Sequence, residues 1–283
     1  MVKKKLIITL SVVAIVVIAL AVGYFSIVGS KTVAAQLHVE SGGVLVNEKE
    51  VSRTVLKEDD AIKTLDNGYA TIILYESVII NLDPNTEVVI DDLINSHPKI
   101  EQKSGKTWNT FTKLLGIEDY SAKAGNSVAS VRGTLFALKE NYILVGDSEV
   151  DFGINSLDFI VEENKVVEEI NGEIIERDAT TEELQEIKQN INRVVAELKY
   201  LREKEIEKKK LMLKIVKIEI VDSEGVKRTL NQEEAREYLE DADNKEVDID
   251  SLLEKSPIEI ESLEKIVSIT KEIQKLVDLG KRY

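Results

Sequence analysis

The sequence predicts an α+β protein with a single N-terminal transmembrane helix, an antiparallel all-β domain and a mainly α-helical C-terminal region. Three observations predict this fold class. An uncharged apolar run opens the chain, short alternating apolar runs follow it, and near residue 180 the apolar spacing changes to three and four residues. The predicted parts are residues 1–30 (cytoplasmic stub and anchor), 31–178 (β domain) and 179–283 (helical region).

The apolar run that opens the chain extends from Leu6 to Val28 without a charged residue. A helix of that length, at about 1.5 Å per residue, crosses the roughly 30 Å hydrocarbon core of a bilayer. Lysines occupy positions 3 to 5, and by the positive-inside rule they predict a cytoplasmic N-terminus and an extracytoplasmic body. We therefore expect a single-pass cell-membrane protein. The alternative is a signal peptide that is cleaved near Ala35 and releases a secreted protein.

Period-two runs separated by turn residues extend from about residue 33 to residue 175 and are typical of an antiparallel β domain. Asp66-Asn67-Gly68 predicts a hairpin between the runs on either side of it. The strand spacing indicates a sandwich, a roll or a short β-solenoid, and periodicity does not choose among them. One irregular segment, Trp108 to Leu115, is interpreted as a short helix inserted into this domain.

Composition and the absence of certain motifs exclude several classes of function. The net charge of −15 argues against nucleic acid as a partner, and the absence of cysteine excludes thiolate chemistry and disulfides. The nucleophile, phosphate-binding and zinc motifs of common enzymes are absent from the sequence, so we expect no enzymatic activity and no cofactor. His38 and His97 lie far apart in sequence, and we predict no metal site. Acidic residues dominate residues 146–178, where Asp147, Glu149 and Asp151 alternate as on one solvated face of a strand.

Three stretches carry a resemblance to a known family. The first extends from Leu56 to Leu74, the second from Val78 to Thr86, and the third is Val131-Arg132-Gly133-Thr134-Leu135-Phe136. In order and separation they resemble the FecR-type extracytoplasmic β domain over about residues 35–150. The residues that match the family motif are Asp60, Thr64, Asn67, Gly68, Leu82, Pro84, Val131, Arg132, Gly133, Thr134 and Phe136.

The chain also departs from that family. Asp59 stands where the family usually has glycine, and Tyr75-Glu76-Ser77 stands where it usually has Asp-Gly-Ser. The resemblance implies a structural role for the matched residues. We expect the third stretch to be the closing strand of the β domain, in which Arg132 pairs with a carboxylate or backbone carbonyls where Gly133 lets strands approach. A ligand contact by Arg132 is the alternative.

The helical region begins with one long apolar stripe. Its members recur every three or four residues and are Leu184, Ile187, Ile191, Val194, Leu198 and Leu201. This spacing predicts a packed amphipathic helix, with a self-associating coiled coil as the alternative. Residues 211–230 alternate again and predict a short β-hairpin, and Gly280 is placed to end a last helix.

These observations favour a membrane-anchored, extracytoplasmic FecR-like interaction or sensing module that binds an envelope protein or polymer. The resemblance implies a role in signal transduction, in which the family's domain relays a signal to a cytoplasmic anti-sigma segment. The predicted cytoplasmic stub of about five residues is too short to fold, so we expect that this chain does not transmit such a signal alone. The alternative function is an envelope assembly protein that oligomerises through its C-terminal helices.

Overall fold

The computed structural model describes residues 33–94, 96–112, 114, 117–215, 218–221, 227–230, 243 and 264–283. Every described residue belongs to one compact unit, Val33–Tyr283. Three layers make up the described part of this unit: an outer β-sheet, a middle β-sheet and a layer of two helices.

The middle sheet has nine strands in the spatial order β18-β17-β14-β13-β10-β7-β6-β1-β4. Their bounds are β1 Ala35–Ser41, β4 Arg53–Val55, β6 Tyr69–Leu74, β7 Val78–Leu82, β10 Thr107–Phe111, β13 Leu135–Lys139, β14 Tyr142–Asp147, β17 Lys165–Ile170 and β18 Glu173–Asp178.

The outer sheet also has nine strands, in the order β16-β15-β12-β11-β9-β8-β5-β2-β3. Their bounds are β2 Val44–Val46, β3 Lys49–Glu50, β5 Ala61–Thr64, β8 Glu87–Asp92, β9 Lys99–Ser104, β11 Tyr120–Ala124, β12 Ser127–Val131, β15 Glu149–Ile154 and β16 Leu157–Glu162. The chain passes back and forth between the two sheets, and most of its visits add a hairpin such as β6–β7 or β15–β16.

The helical layer consists of α1, Thr181–Ile215, and α2, Glu264–Gly280. Between them a small antiparallel hairpin pairs β19, Ile218–Val221, with β20, Lys227–Leu230. The last strand of the two large sheets ends at Asp178.

Two apolar cores lie on the two sides of the middle sheet. The first separates the sheets and contains side chains such as Leu37, Ile72, Ile80 and Phe136. The second lies between the middle sheet and the helices and contains, on the sheet side, Ile73, Ile79, Trp108 and Leu144. Because both faces are buried, Ile72 to Leu74 of β6 and Val78 to Ile80 of β7 are continuous apolar runs, and the polar Thr71 and Asn81 next to them are buried as well. The outer sheet has one solvated face, so β15 alternates between exposed acids and buried apolar residues.

The apolar stripe of α1 packs inside the molecule. Ile187, Ile191, Val194, Leu198 and Leu201 are buried, and Leu184 packs beside them at the edge of the same core. Their contacts are the middle sheet and the apolar face of α2, which includes Ile269, Ile273 and Leu276. The amphipathic-helix interpretation of the stripe therefore holds, and the coiled-coil alternative is corrected.

A row of polar side chains on α1 runs beside the apolar stripe and contacts the middle sheet or the turns next to it at every helical turn. Its bonds join Glu186 to Lys106 (2.5 Å), Asn190 to Asn81 (2.7 Å), Arg193 to Glu40 (2.9 Å) and Asp83 (3.0 Å), Glu197 to His38 (3.2 Å), and Tyr200 to Arg53 (2.6 Å). The spacing of three and four residues keeps this row on one side of the helix. It fixes where along the sheet the helix lies, which the apolar contacts alone do not specify.

A capping box starts α1. The Glu183 N–H donates to the Thr180 hydroxyl (3.2 Å), and the Thr180 N–H donates back to the Glu183 carboxylate (2.8 Å). The Arg177 guanidinium and the Tyr142 hydroxyl also donate to this carboxylate. Hydrogen bonds from Arg177 foremost, then from Thr180 and Tyr142, lower the pKa of Glu183 to about 2.

Two predicted features of the β region are wrong. The segment at Trp108 is not a helix but strand β10, and its residues are buried on both faces, which removes the alternation that would have identified a strand. Asp66-Asn67-Gly68 does not form a hairpin, because β5 on one side of it lies in the outer sheet and β6 on the other side lies in the middle sheet. The turn carries the chain from one sheet to the other.

The predicted fold class and location also need correction. Among the residues that the structure describes, no helix is long and apolar enough to cross a bilayer. Helix α1 is long but alternates charges with its apolar stripe, and the 17 residues of α2 span only about 26 Å. The single-pass membrane location is corrected accordingly. The span on which it rested, residues 6–28, lies outside the described residues.

Removing volume from the α1 stripe should destabilise the whole unit. We expect Leu198→Ala to lower the free energy of unfolding by about 2–4 kcal/mol, because Leu198 is fully buried between the middle sheet and α2. Lys188→Ala, at an exposed position of the same helix, should change it by less than about 0.5 kcal/mol. Urea unfolding followed by circular dichroism measures both, and equal effects would contradict this account of the packing.

The capping box should give stability a defined pH dependence. Because the folded pKa of Glu183 is lowered, its contribution is complete above about pH 4.5 and is lost as the pH falls towards about 2. We expect Glu183→Gln to cost about 1 kcal/mol near pH 7, a modest value because the pair is partly exposed, and almost nothing near pH 2. Thermal melts from pH 7 to 2 test this, with Glu182→Gln as the control. A cost that does not change with pH would refute it.

Candidate binding surface

Most of the predicted motif residues lie where the chain crosses between the sheets, and the rest lie in the core. Those at crossings or the turns beside them are Asp60, Thr64, Asn67, Gly68, Pro84, Arg132, Gly133 and Thr134, and those in the core are Leu82, Val131 and Phe136. The structure does not gather them into one pocket. They are distributed along the line of crossings that joins the two sheets.

Hydrogen bonds link successive crossings to one another. The Thr64 hydroxyl donates to the Asp83 carbonyl (2.7 Å) and accepts the Thr86 N–H (2.9 Å). The Thr86 hydroxyl in turn accepts the Lys106 N–H (3.0 Å). The crossings after β5, β7 and β9 are therefore tied together through two threonines. Pro84 lies in the middle one of the three.

Backbone segments approach closely at Asn67 and Gly68. The Asn67 side-chain oxygen accepts the Gly43 N–H (3.3 Å), and a Cβ added at Gly68 would lie 2.3 Å from the Gly43 carbonyl oxygen. A Cβ added at Gly42, whose φ is +68°, would lie 1.9 Å from the Asn67 carbonyl oxygen. Only glycine fits at these contacts. Asp60 acts in a neighbouring turn, where its carboxylate accepts the Lys57 N–H and the Asn47 amide, each at 2.8 Å.

The stretch from Val131 to Phe136 is a crossing and not the closing strand that was expected. Val131 ends β12 in the outer sheet, β13 begins in the middle sheet, and five more strands of these two sheets follow β13. Gly133 makes the turn with a φ of +126°, and the Thr134 hydroxyl donates to the Asp147 carbonyl. Arg132 is exposed, and the described residues supply neither the carboxylate nor the carbonyl partner that was expected.

The other residues singled out in the sequence, one tryptophan and two histidines, contact neighbouring side chains of the fold. The Trp108 ring is buried, with the Lys106 ammonium 4.6 Å from its centre. His38 contacts Glu197 of α1, and the other histidine, His97, contacts Asp119 at 2.7 Å. In the described part of the chain, no group of three or more histidine, aspartate and glutamate side chains is arranged to hold a metal ion.

Sequence reasoning missed a strained turn with buried charges. Tyr75 and Glu76, which join β6 to β7, have φ values of +50° and +55°, a conformation that costs free energy in residues other than glycine. These residues stand where the FecR pattern has Asp-Gly. The buried Glu76 carboxylate forms an ion pair with Lys265 of α2, which also contacts Glu205 of α1 (3.3 Å). The turn therefore connects the sheet to both helices, and the departure from the family pattern was its sequence signal.

A second buried ion pair lies in the helical layer. The Arg202 guanidinium of α1 donates to the Asp243 carboxylate (2.8 Å) and to the Thr270 hydroxyl of α2 (3.1 Å). All three residues are buried. Removing one member of a buried ion pair leaves an uncompensated buried charge and is strongly destabilising, so we assign this group to the assembly of the helices.

One end of the outer sheet is chemically different. Its last strand, β16, pairs with β15 on one side, and no described strand pairs with its other side. Ile160 and Leu157 of β16 are 64% and 53% exposed. We name this surface the acidic end and define it by the acids of β15 and β16 and the two exposed apolar residues: Glu149, Asp151, Asp158, Glu162, Leu157 and Ile160.

The charges of the acidic end are not balanced. Glu149 and Glu162 are direct cross-strand neighbours, an arrangement of like charges that is unfavourable in an antiparallel pair. No ion pair joins the four carboxylates of this surface to a cation among the described residues, and no lysine or arginine occurs between Lys139 and Lys165. The predicted alternation of Glu149 and Asp151 on one face is present in β15, whereas Asp147 ends β14 and pairs with Lys275.

Comparisons with known proteins add little. No family model matches the chain, and no curated protein matches it. Two crystal structures, at 2.50 and 1.65 Å resolution, of a "putative anti-sigma factor" from Parabacteroides distasonis ATCC 8503 align with 13% sequence identity and a TM-score of 0.39. The alignment covers 44% of this chain and 62% of that chain. At this TM-score the likeness supports no functional conclusion, and the FecR resemblance stays a prediction.

Stability at the crossings should depend on the glycines. Both Gly42→Ala and Gly172→Ala place a side chain at a positive φ, but the space around Gly172 is open to 4 Å. We expect Gly172→Ala to cost about 1 kcal/mol from backbone strain alone. Gly42→Ala should cost at least about twice as much, because its Cβ would collide with the Asn67 backbone. Chemical denaturation measures both variants, and equal costs would show that the crossing can relax around Gly42.

Proposed function

We propose that this chain is a non-enzymatic interaction module with a sensing or regulatory role, and that it binds a protein partner at the acidic end. The single observation that carries the proposal is the exposed Ile160 among four carboxylates, none of which forms an ion pair with a cation among the described residues. Exposed apolar area together with an unfavourable pair of like charges is a local cost to the fold. Such unfavourable features are concentrated at sites where a protein binds a partner.

The ionic group around Glu183 serves the fold. The carboxylate with the strongly lowered pKa, Glu183, starts α1, and its donors Arg177 and Tyr142 hold that helix on the middle sheet. The motif residues of the FecR resemblance lie at crossings and in the core. This distribution favours binding over catalysis, in keeping with the interaction role that the resemblance implies.

The apolar stripe of α1, which the sequence suggested as an alternative surface for self-association, packs within the chain. Its residues contact the middle sheet and α2. The acidic end is the better candidate for a partner, because its apolar side chains remain exposed.

An unbiased selection tests the proposal. A display library of random 12-residue peptides is selected on the full chain, and the enriched peptides are measured against two variants by fluorescence anisotropy. Ile160→Lys should weaken their binding at least tenfold, because it removes apolar contact area at the centre of the acidic end. Val55→Lys is the matched control, since Val55 is 60% exposed on edge strand β4 of the other sheet, at the opposite end of the strand order.

The selection distinguishes results that support the proposal from results that overturn it. Enriched peptides that lose binding in Ile160→Lys and keep it in Val55→Lys support the proposal. A selection that yields no binder, or binders that are equally sensitive to both variants or to neither, overturns it.

A further inference from the structure

We infer that the partner segment binds as an added β-strand along the free edge of β16, and that it carries lysine or arginine on its solvent side and apolar residues between them. This inference rests on the proposed function and specifies its partner. The free edge, the exposed apolar side chains and the unbalanced charge each constrain one property of the occupant.

The free edge defines the mode of binding. β16 is the terminal strand of the outer sheet, and its six residues, Leu157–Glu162, have a paired strand on one side only. A terminal strand presents unpaired N–H and C=O groups that can pair with an extended segment. Proteins commonly protect such edges by shortening the strand or by placing charges and proline on it. β16 is a strand of ordinary length without proline. It does carry charges, but an exposed isoleucine lies between them, and protection of the edge does not explain that isoleucine.

The solvent-facing side defines the charge of the occupant. On this side β16 presents Asp158, Ile160 and Glu162 in alternation, and Asp151 and Glu149 lie across from Ile160 and Glu162 on β15. A strand laid beside β16 places its own alternate residues next to these three positions. Cations opposite Asp158 and Glu162 would neutralise the surface, and an apolar residue opposite Ile160 would cover it.

The core-facing side defines the remaining residues. Here β16 presents Leu157, Phe159 and Val161, of which Val161 is buried, Phe159 is partly buried against the core between the sheets, and Leu157 is 53% exposed. An added strand would extend this core, so its residues on that side should be apolar. The five-residue pattern is therefore cation, apolar, apolar, apolar, cation, with a chemistry such as Lys-Ile-Val-Ile-Lys.

Designed peptides test the mode and the chemistry. The probe is Lys-Ile-Val-Ile-Lys flanked by glycines, capped at both ends, and titrated against the full chain by fluorescence anisotropy. Glu-Ile-Val-Ile-Glu, with the same pattern and the opposite charge, should bind at least tenfold more weakly. Raising the salt concentration should weaken the binding of the lysine peptide, because salt screens the attraction between its lysines and the carboxylates of the acidic end.

Backbone methylation separates strand addition from other modes. Only alternate N–H groups of an added strand face its neighbour. Two forms of the lysine peptide are N-methylated at alternate residues, one on each set. We expect one form to lose at least tenfold in affinity and the other to bind like the unmethylated probe. Ile160→Lys should weaken the probe at least tenfold, and Val55→Lys should leave it unchanged.

Each outcome bears on the inference. The expected asymmetry between the two methylated forms, together with the preference for lysine over glutamate, supports it. Equal binding by both methylated forms, equal binding of the lysine and glutamate peptides, or no binding of the lysine peptide overturns it. If library-selected peptides still depend on Ile160 in that case, the proposed binding role stands and only the mode of binding is wrong.

Discussion

The contact between the helical layer and the middle sheet is the interaction on which the rest of the structure depends. Without it, one face of a nine-stranded sheet would present Ile73, Ile79, Trp108 and Leu144 to water. An exposed apolar area of that extent is not compatible with a soluble, monomeric sheet. The sandwich and the helices are therefore one cooperative assembly, although secondary structure changes abruptly at residue 180.

Polar contacts give that assembly its register. Apolar packing is tolerant of sliding, since one branched aliphatic residue replaces another at little cost. The row from Glu186 to Tyr200 removes this tolerance, because each side chain has a partner at one place only, such as Asn81 for Asn190. The strained turn at Tyr75 and Glu76 adds a further point of attachment, where its ion pair with Lys265 joins the end of a sheet hairpin to α2.

Local patterns indicated several strands of the β region and the first helix, because alternation and the three-four spacing depend only on one buried face. They failed at Trp108, which lies in a strand whose residues are buried on both faces, so that no exposed side marks the alternation of a strand. They also failed at Asp66-Asn67-Gly68, since a crossing and a hairpin need the same turn residues. The exposed edge of β16 was not predictable from the sequence. An isoleucine in a strand is expected in the core, and only the strand order shows that β16 is the last strand of its sheet.

The order of the layers along the chain has a consequence for synthesis. The ribosome delivers both sheets, which end at Asp178, before either helix, and α2 ends about 100 residues later. At about 5–20 residues per second, the middle sheet waits roughly 5–20 s for its complete cover. During that interval its helix-facing side is open to other nascent chains. Either other factors in the cell protect the nearly finished sandwich during this interval, or the sandwich completes its folding only after both helices have emerged.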